Sequence, residues 1–241
     1  FTAYIDHVNC SGSVYECYYL NRERGYRFEV EGYLERMGPQ YDLFIVENPN
    51  NPTGQLTPLP LVERILRRCE ACGALLVVDE CFLDFLPDCD TLTAKALLDS
   101  KNLLILKAFT KLYGMAGVRL GYCLCANTAL LEAMQAAGQP WAVSSLAQAA
   151  GLAALDETAY VAQVRALIAQ QRPRLTAGLR ALGLRVLDGR ANYLLFQGPE
   201  TLGDALRQRG VVLRSCSNYP GLDGSWYRTA VRTGPENDEL L

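Results

Sequence analysis

The amino-acid sequence predicts an α/β protein: a mainly parallel sheet covered by helices, followed by a small C-terminal α+β domain. Three observations predict it. Continuous apolar runs of strand length alternate with segments whose apolar residues recur at helical spacing, the pattern of strands buried on both faces. The unusual polar residues of the first half fall just after those runs. After Gly183 the texture changes to short strands around one helix.

Residues 41–47 read as the first buried strand, followed by a turn-rich loop over residues 48–54 with three asparagines and two prolines. From Pro58, the apolar residues Val62, Ile65, Leu66 and Cys69 recur at helical spacing, and Gly73 is placed to cap that helix. Residues 74–79 form a second apolar strand. A short helix is expected over 91–100, then a third strand over 102–107. A Gly-rich connection leads to a fourth strand over 119–125. Residues 144–182 are nearly all helical in pattern, with a break or kink expected at Pro173. Beyond Gly183, strands are expected at 184–187, 193–197, 211–214 and 226–232, with a helix at 201–209. Residues 1–154 therefore read as a large domain, and 155–241 as a hinge helix with a small domain.

Charged residues make up 20% of the chain and the net charge is −3, with a pI near 5.3, so nothing points to nucleic acid or a membrane surface as partner. The longest apolar stretches are far too short to span a bilayer. The chain begins at Phe1 with neither an initiator Met nor a signal core, and is expected to be a fragment. Nine cysteines, an odd number scattered along the chain, favour a reducing cytoplasm over a disulfide framework. Cys69 and Cys72 form a CxxC. A zinc site would want a second pair and a redox dithiol a helix start, so plain helix-end cysteines are expected.

The chemistry gathers at strand ends. The asparagine loop follows the first strand, Asp79 closes the second and Lys111 lies just beyond the third. Ligands of open parallel sheets bind in the crevice outside the carboxyl ends of the strands. Three segments thus deliver amides, a carboxylate and an amine to one edge, although an Asn-Pro loop alone is often a turn and a strand-end Asp often a cap.

Asn51-Pro52-Thr53-Gly54, Asp79 after an apolar strand, and Thr110-Lys111 followed by Gly117-x-Arg119-x-Gly121 resemble the signature of the fold-type I aminotransferases, enzymes that use pyridoxal phosphate. The resemblance implies that Lys111 binds the cofactor covalently, with Thr110 beside it. Asp79 would pair with its pyridine nitrogen, Asn51 would donate to its phenolic oxygen, and Arg119 would bind its phosphate through a planar fork. Phe1 aligns with the family's ring-stacking aromatic. Lys107 is set aside as a rival, since no Gly-x-Arg follows it at that spacing and a strand-end lysine is expected to be solvated.

Phe82, residues 139–143, residues 189–195 and above all residues 214–222, Arg-Ser-Cys-Ser-Asn-Tyr-Pro-Gly-Leu, are similar to the branch of threonine-phosphate decarboxylases, close relatives of the histidinol-phosphate aminotransferases. That similarity implies a substrate of phosphorylated amino-acid type. Arg228 would take its α-carboxylate and Arg214 its phosphate, with Tyr193 and Asn51 nearby; Arg190 and Arg232 read as solvated or structural. It also implies a homodimer and a role in cobalamin biosynthesis. Two departures stand out. Ala108 replaces a serine that the family aims at the cofactor phosphate, and the chain begins after the family's Gly-rich phosphate loop. Decarboxylation and transamination start from the same bound state and differ in which α-carbon bond is held perpendicular to the ring, which residues alone do not reveal. Histidinol-phosphate aminotransferase and an inactive, aminotransferase-like binding domain therefore remain as alternatives.

Overall fold

A computed structural model describes residues 2–241, with the side chains of Thr2 and Ala3 outside the description. The first half opens with α1 (Thr2–Cys10) and α2 (Val30–Arg36). Next come β1 (Leu43–Glu47), α3 (Leu59–Cys72), β2 (Leu75–Asp79), α4 (Cys89–Leu92), β3 (Leu103–Ala108), α5 (Phe109–Leu112), β4 (Gly121–Cys125) and α6 (Thr128–Ala137). The strands lie in the order β1-β2-β3-β4, the first three parallel and the fourth antiparallel.

The spacing of α3 explains its place: Val62, Ile65, Leu66 and Cys69 form one stripe and pack on Phe44, Val46, Leu76, Val78, Leu103 and Ile105. Full burial of each such side chain contributes about 1.5–3 kcal/mol. Gly73 ends the helix in the left-handed conformation, φ 74°, with its N–H on the carbonyl oxygens of Cys69 and Glu70.

The helix expected over 91–100 is divided instead. α4 stops at Leu92, Thr93 is extended, and Ala94–Leu97 forms a 3₁₀ turn. The cause is the fully buried Glu80, whose carboxylate takes the Thr93 hydroxyl and the Ala94 N–H, both at 2.7 Å, and so fixes the chain out of helical register.

α7 (Ser145–Asp156) and α8 (Thr158–Ala181) replace the single helical tract. Their break falls at Glu157, and α8 continues through Pro173. Contacts on both sides hold α8: Ile168 packs with Phe85, Leu112 and Val231, while Leu175 and Leu179 enter the core of the second sheet.

That sheet contains β5 (Arg185–Val186), β6 (Tyr193–Gln197), β7 (Arg214–Ser215) and β8 (Trp226–Ala230) in the order β5-β6-β8-β7, all antiparallel, with α9 (Leu202–Gln208) and α10 (Gly234–Leu240). The strand expected over 211–214 instead begins at Arg214 and runs to Ser215, the Val211 N–H being held by Leu206 O in the cap of α9. α10 lies beyond the elements expected from sequence, yet Thr233 and Glu236 form a capping box at its start.

The two sheets meet at the asparagine loop. Arg190 and Ala191 N–H groups donate to Gly54 O at 2.6 and 3.3 Å, and a Cβ on Gly189 would lie 2.7 Å from backbone atoms of Thr53 and Gly54. Gly189→Ala is therefore expected to destabilise the fold by about 1–3 kcal/mol, as overpacking against rigid backbone does. A urea midpoint equal to that of the unsubstituted protein would contradict this reading.

Candidate active site

β1 and β2 run parallel with Glu47 beside Asp79, so the asparagine loop and Asp79 leave the sheet at the same edge. Asn48 is a scaffold residue: its side chain bridges the Thr57 carbonyl and N–H, and its backbone N–H donates to Asp79 O at 2.8 Å. Asn51 is placed differently. Its backbone N–H donates to Glu47 Oε2 at 3.1 Å, and its Oδ1 accepts from both Arg228 Nη1 and the Tyr219 hydroxyl, the latter at 3.3 Å. A guanidinium can only donate, which identifies the atom it meets as the oxygen and leaves Nδ2 as a donor. Among the described residues, Nδ2 has no hydrogen bond.

Asp79 has both carboxylate oxygens engaged. The Cys81 N–H donates to Oδ1 at 2.9 Å, and the Tyr4 hydroxyl donates to Oδ2. Burial, and then the neighbouring Asp79, push the Tyr4 hydroxyl well above the usual range, so Tyr4 stays protonated as a donor. The same two causes raise the Cys81 thiol, while the Lys111 ammonium pulls it the other way.

Lys111 is exposed, one turn into α5, and its Nζ stands 5.5 Å from the centre of the Phe82 ring. Phe82 meets Tyr193 edge-on at 5.1 Å, and the Arg228 guanidinium lies over the other aromatic of that pair, 5.2 Å from the Tyr193 ring centre. Buried Tyr193 donates to Asn50 O at 2.9 Å. Lys111, Phe82, Tyr193, Arg228 and Asn51 thus form one chain of contacts joining the two sheets.

Arg214 pairs with Arg228 in the β7–β8 ladder, directly opposite, so both side chains leave the same face. Arg214 is exposed and donates to Asn218 Oδ1 at 3.2 Å. Thr110 is half-buried beside Lys111. Arg119, at φ 59°, turns its guanidinium back to Ala116 O at 3.0 Å. Neither is joined to the Asn51 cluster by a hydrogen bond or ring contact among the described residues. The role expected of Phe1 lies outside those residues.

One expectation is overturned. Lys107 is buried, with Nζ 2.9 Å from Glu80 and 2.8 Å from Asp84. Burial alone would lower its pKa, but the two carboxylates outweigh it and hold the amine in its charged form. The acids of the β2–β3 crossover meet this β3 amine and leave it only 2% exposed. Arg190 forms a two-bond pair with Asp88, and Arg232 pairs with Glu236. Cys69 and Cys72 sit in the last turn of α3, where burial pushes the Cys69 thiol up to about 12, and the described residues contain no cluster able to hold a metal ion. No helix among them is long and apolar enough to cross a membrane.

Tyr4 and Tyr219 escaped the sequence reading. Tyr219 sits in the distinctive 214–222 stretch, which was a usable signal. Tyr4 reaches Asp79 across 75 positions, which no local pattern encodes.

A family model described as aminotransferase class I and II matches residues 1–241. A threonine-phosphate decarboxylase of Salmonella typhimurium is 36% identical over 216 residues, covering 88% of this chain and 59% of its own. A histidinol-phosphate aminotransferase of Desulfitobacterium hafniense is 36% identical over 227 residues, covering 90% and 59%. The crystal structure of histidinol-phosphate aminotransferase from Sinorhizobium meliloti in complex with pyridoxal-5'-phosphate superimposes with a TM-score of 0.84 at 26% identity, covering all of this chain and 66% of that one. The chain thus spans 59% of the length of these two curated relatives.

Proposed function

Since the chain belongs to the class I and II aminotransferase family, we propose that it serves a pyridoxal-phosphate enzyme that decarboxylates L-threonine O-3-phosphate to (R)-1-aminopropan-2-yl phosphate, a step of cobalamin biosynthesis. The cofactor's ring, when bound, accepts the electron pair left on the substrate α-carbon as a bond there breaks. The residues present fit it. Lys111 is an exposed amine able to hold it covalently, with Thr110 alongside. Asp79 is a carboxylate suited to a ring nitrogen, Asn51 Nδ2 a donor awaiting an oxygen, and Arg119 a guanidinium for the phosphate. Residues 1–154 would carry this part, and 155–241 the substrate's anchors.

The observation that carries the substrate reading is the Arg214–Arg228 pair. Like charges directly opposite in a ladder repel, and anions arriving between them remove that cost. Phosphothreonine brings two, an α-carboxylate for Arg228 and a phosphate for Arg214, whose planar forks suit both groups. Arg228 is already oriented by the Tyr193 ring and Asn51, so little freedom is lost on binding. The chain's part in the chemistry is then to let the carboxylate leave as carbon dioxide and to return a proton to the α-carbon from Lys111 Nζ. A homodimer belongs to the proposal as well, since Leu146, Leu152 and Leu155 of α7 all stand exposed.

The rival, a histidinol-phosphate aminotransferase, is supported to the same degree by the identity of the Desulfitobacterium relative. Supplying phosphothreonine and, separately, histidinol phosphate with 2-oxoglutarate decides between them. Carbon dioxide with aminopropanol phosphate is the expected outcome; amino transfer without carbon dioxide overturns the decarboxylase. Asp79→Asn is expected to fold normally, because the amide oxygen still accepts from the Cys81 N–H and its NH₂ can donate to the Tyr4 hydroxyl, and to slow turnover roughly a hundredfold or more. Near-normal turnover in that variant would remove Asp79 from the mechanism.

A further inference from the structure

The loop between β7 and β8 is stiffened at both ends of its turn. The Cys216 N–H bonds Trp226 O, Tyr219 N–H bonds Cys216 O and Leu222 N–H bonds Tyr219 O. Cys216 and Trp226 are fully buried, and the Tyr26 hydroxyl reaches Gly221 O at 3.2 Å. From this rigid turn the half-buried Tyr219 extends its hydroxyl to Asn51 Oδ1, on the other sheet. Burial raises the Tyr219 hydroxyl's pKa more than Arg228 lowers it, so it remains a donor.

Asn51 Oδ1 thus has two donors, and they are not equivalent. Arg228 is also a group offered to the substrate. Once an incoming carboxylate engages that guanidinium, the Tyr219 hydroxyl still favours Oδ1 on its side, because a phenol O–H donates better than its ring-conjugated oxygen accepts. A primary amide that loses its oxygen-side partners can rotate end for end and present oxygen where nitrogen stood.

We propose that Tyr219 is a positioning residue: it locks the Asn51 amide so that Nδ2 faces the cofactor, and so ties the loop that begins at Arg214 to the cofactor's phenolic oxygen. The inference rests on the function proposed above in its cofactor-facing half only. A donor on that oxygen draws off its negative charge and weakens its hold on the neighbouring proton. Loss of the lock should therefore raise the pH midpoint of the bound cofactor's absorbance change.

The test compares Tyr219→Phe, which keeps the ring, with Tyr26→Phe, which removes a hydrogen bond to the same loop without touching Asn51. The side-chain NH₂ resonances of Asn51, identified by their loss in Asn51→Asp, report the amide without cofactor, with saturating acetate present to engage the Arg228 guanidinium. The absorbance midpoint, measured with the same acetate, reports it with pyridoxal phosphate bound. In Tyr219→Phe the resonances should shift or broaden and the midpoint rise by about half a unit or more, as expected for one lost hydrogen bond. In Tyr26→Phe both should stay. Unmoved Asn51 resonances in Tyr219→Phe, or equal shifts in the two variants, overturn the lock. Moved resonances with an unmoved midpoint overturn its cofactor-facing half. A protein that forms no cofactor band overturns the proposed function and that same half, while the resonances still judge the hold of Tyr219 on Asn51.

Discussion

Lys111→Ala is expected to abolish covalent capture of pyridoxal phosphate and to reduce turnover by roughly 10²–10⁴-fold or more, the range typical of losing a proton-transferring side chain, with the loss of covalent attachment added. Borohydride reduction of the loaded protein, followed by peptide mapping, should label Lys111 in the unsubstituted chain and nothing in the variant. The neighbouring Lys107 offers no substitute. Its ammonium is paired with Glu80 and Asp84, and neutralising it would leave the buried Glu80 without its cation, a change that typically costs about 3–5 kcal/mol. Label found on Lys107 or Lys101 would reassign the site.

Arg214→Ala should lower kcat/KM for phosphothreonine roughly a hundredfold, because one partner of a charge-assisted contact is removed. Threonine has no phosphate to lose, so its much lower rate should change far less. Arg228→Ala should harm both substrates, since both carry the α-carboxylate, and should also release Asn51. Equal losses for threonine and phosphothreonine in Arg214→Ala would refute the phosphate role. The effect belongs to the side chain's charge and reach; its backbone pairing with Arg228 survives the substitution.

The parallel strands were legible because full burial on both faces writes them as unbroken apolar runs, and β2 and β3 lie within a residue of the expected limits. The helix after Asp90 was misread because a side chain distant in sequence, Glu80, outcompetes the local helical hydrogen bonds. Lys107 was misread for a related reason. Whether a strand-end amine meets water depends on acids delivered by the preceding crossover, Glu80 and Asp84, and not on its own neighbours. Asn51, Asp79 and Lys111 were located as candidates because strand-end placement is a topological property that sequence order carries. Tyr4 and Tyr219 act through tertiary contacts alone.

The asparagine loop grows out of the first sheet but is fastened to the second by Tyr193, Tyr219, Arg228, Arg190 and Ala191. Whatever molecule settles there becomes a rivet through a seam, touching both plates at once. Its binding energy is then also cohesion energy between the halves, adding RT ln(1 + [L]/Kd), about 2.7 kcal/mol at a hundred times Kd, to the resistance of the fold against opening. Conversely, a mutation far from the chemistry that loosens the seam raises Kd without touching the ligand. Heat tolerance and ligand grip in this protein are readings of one joint.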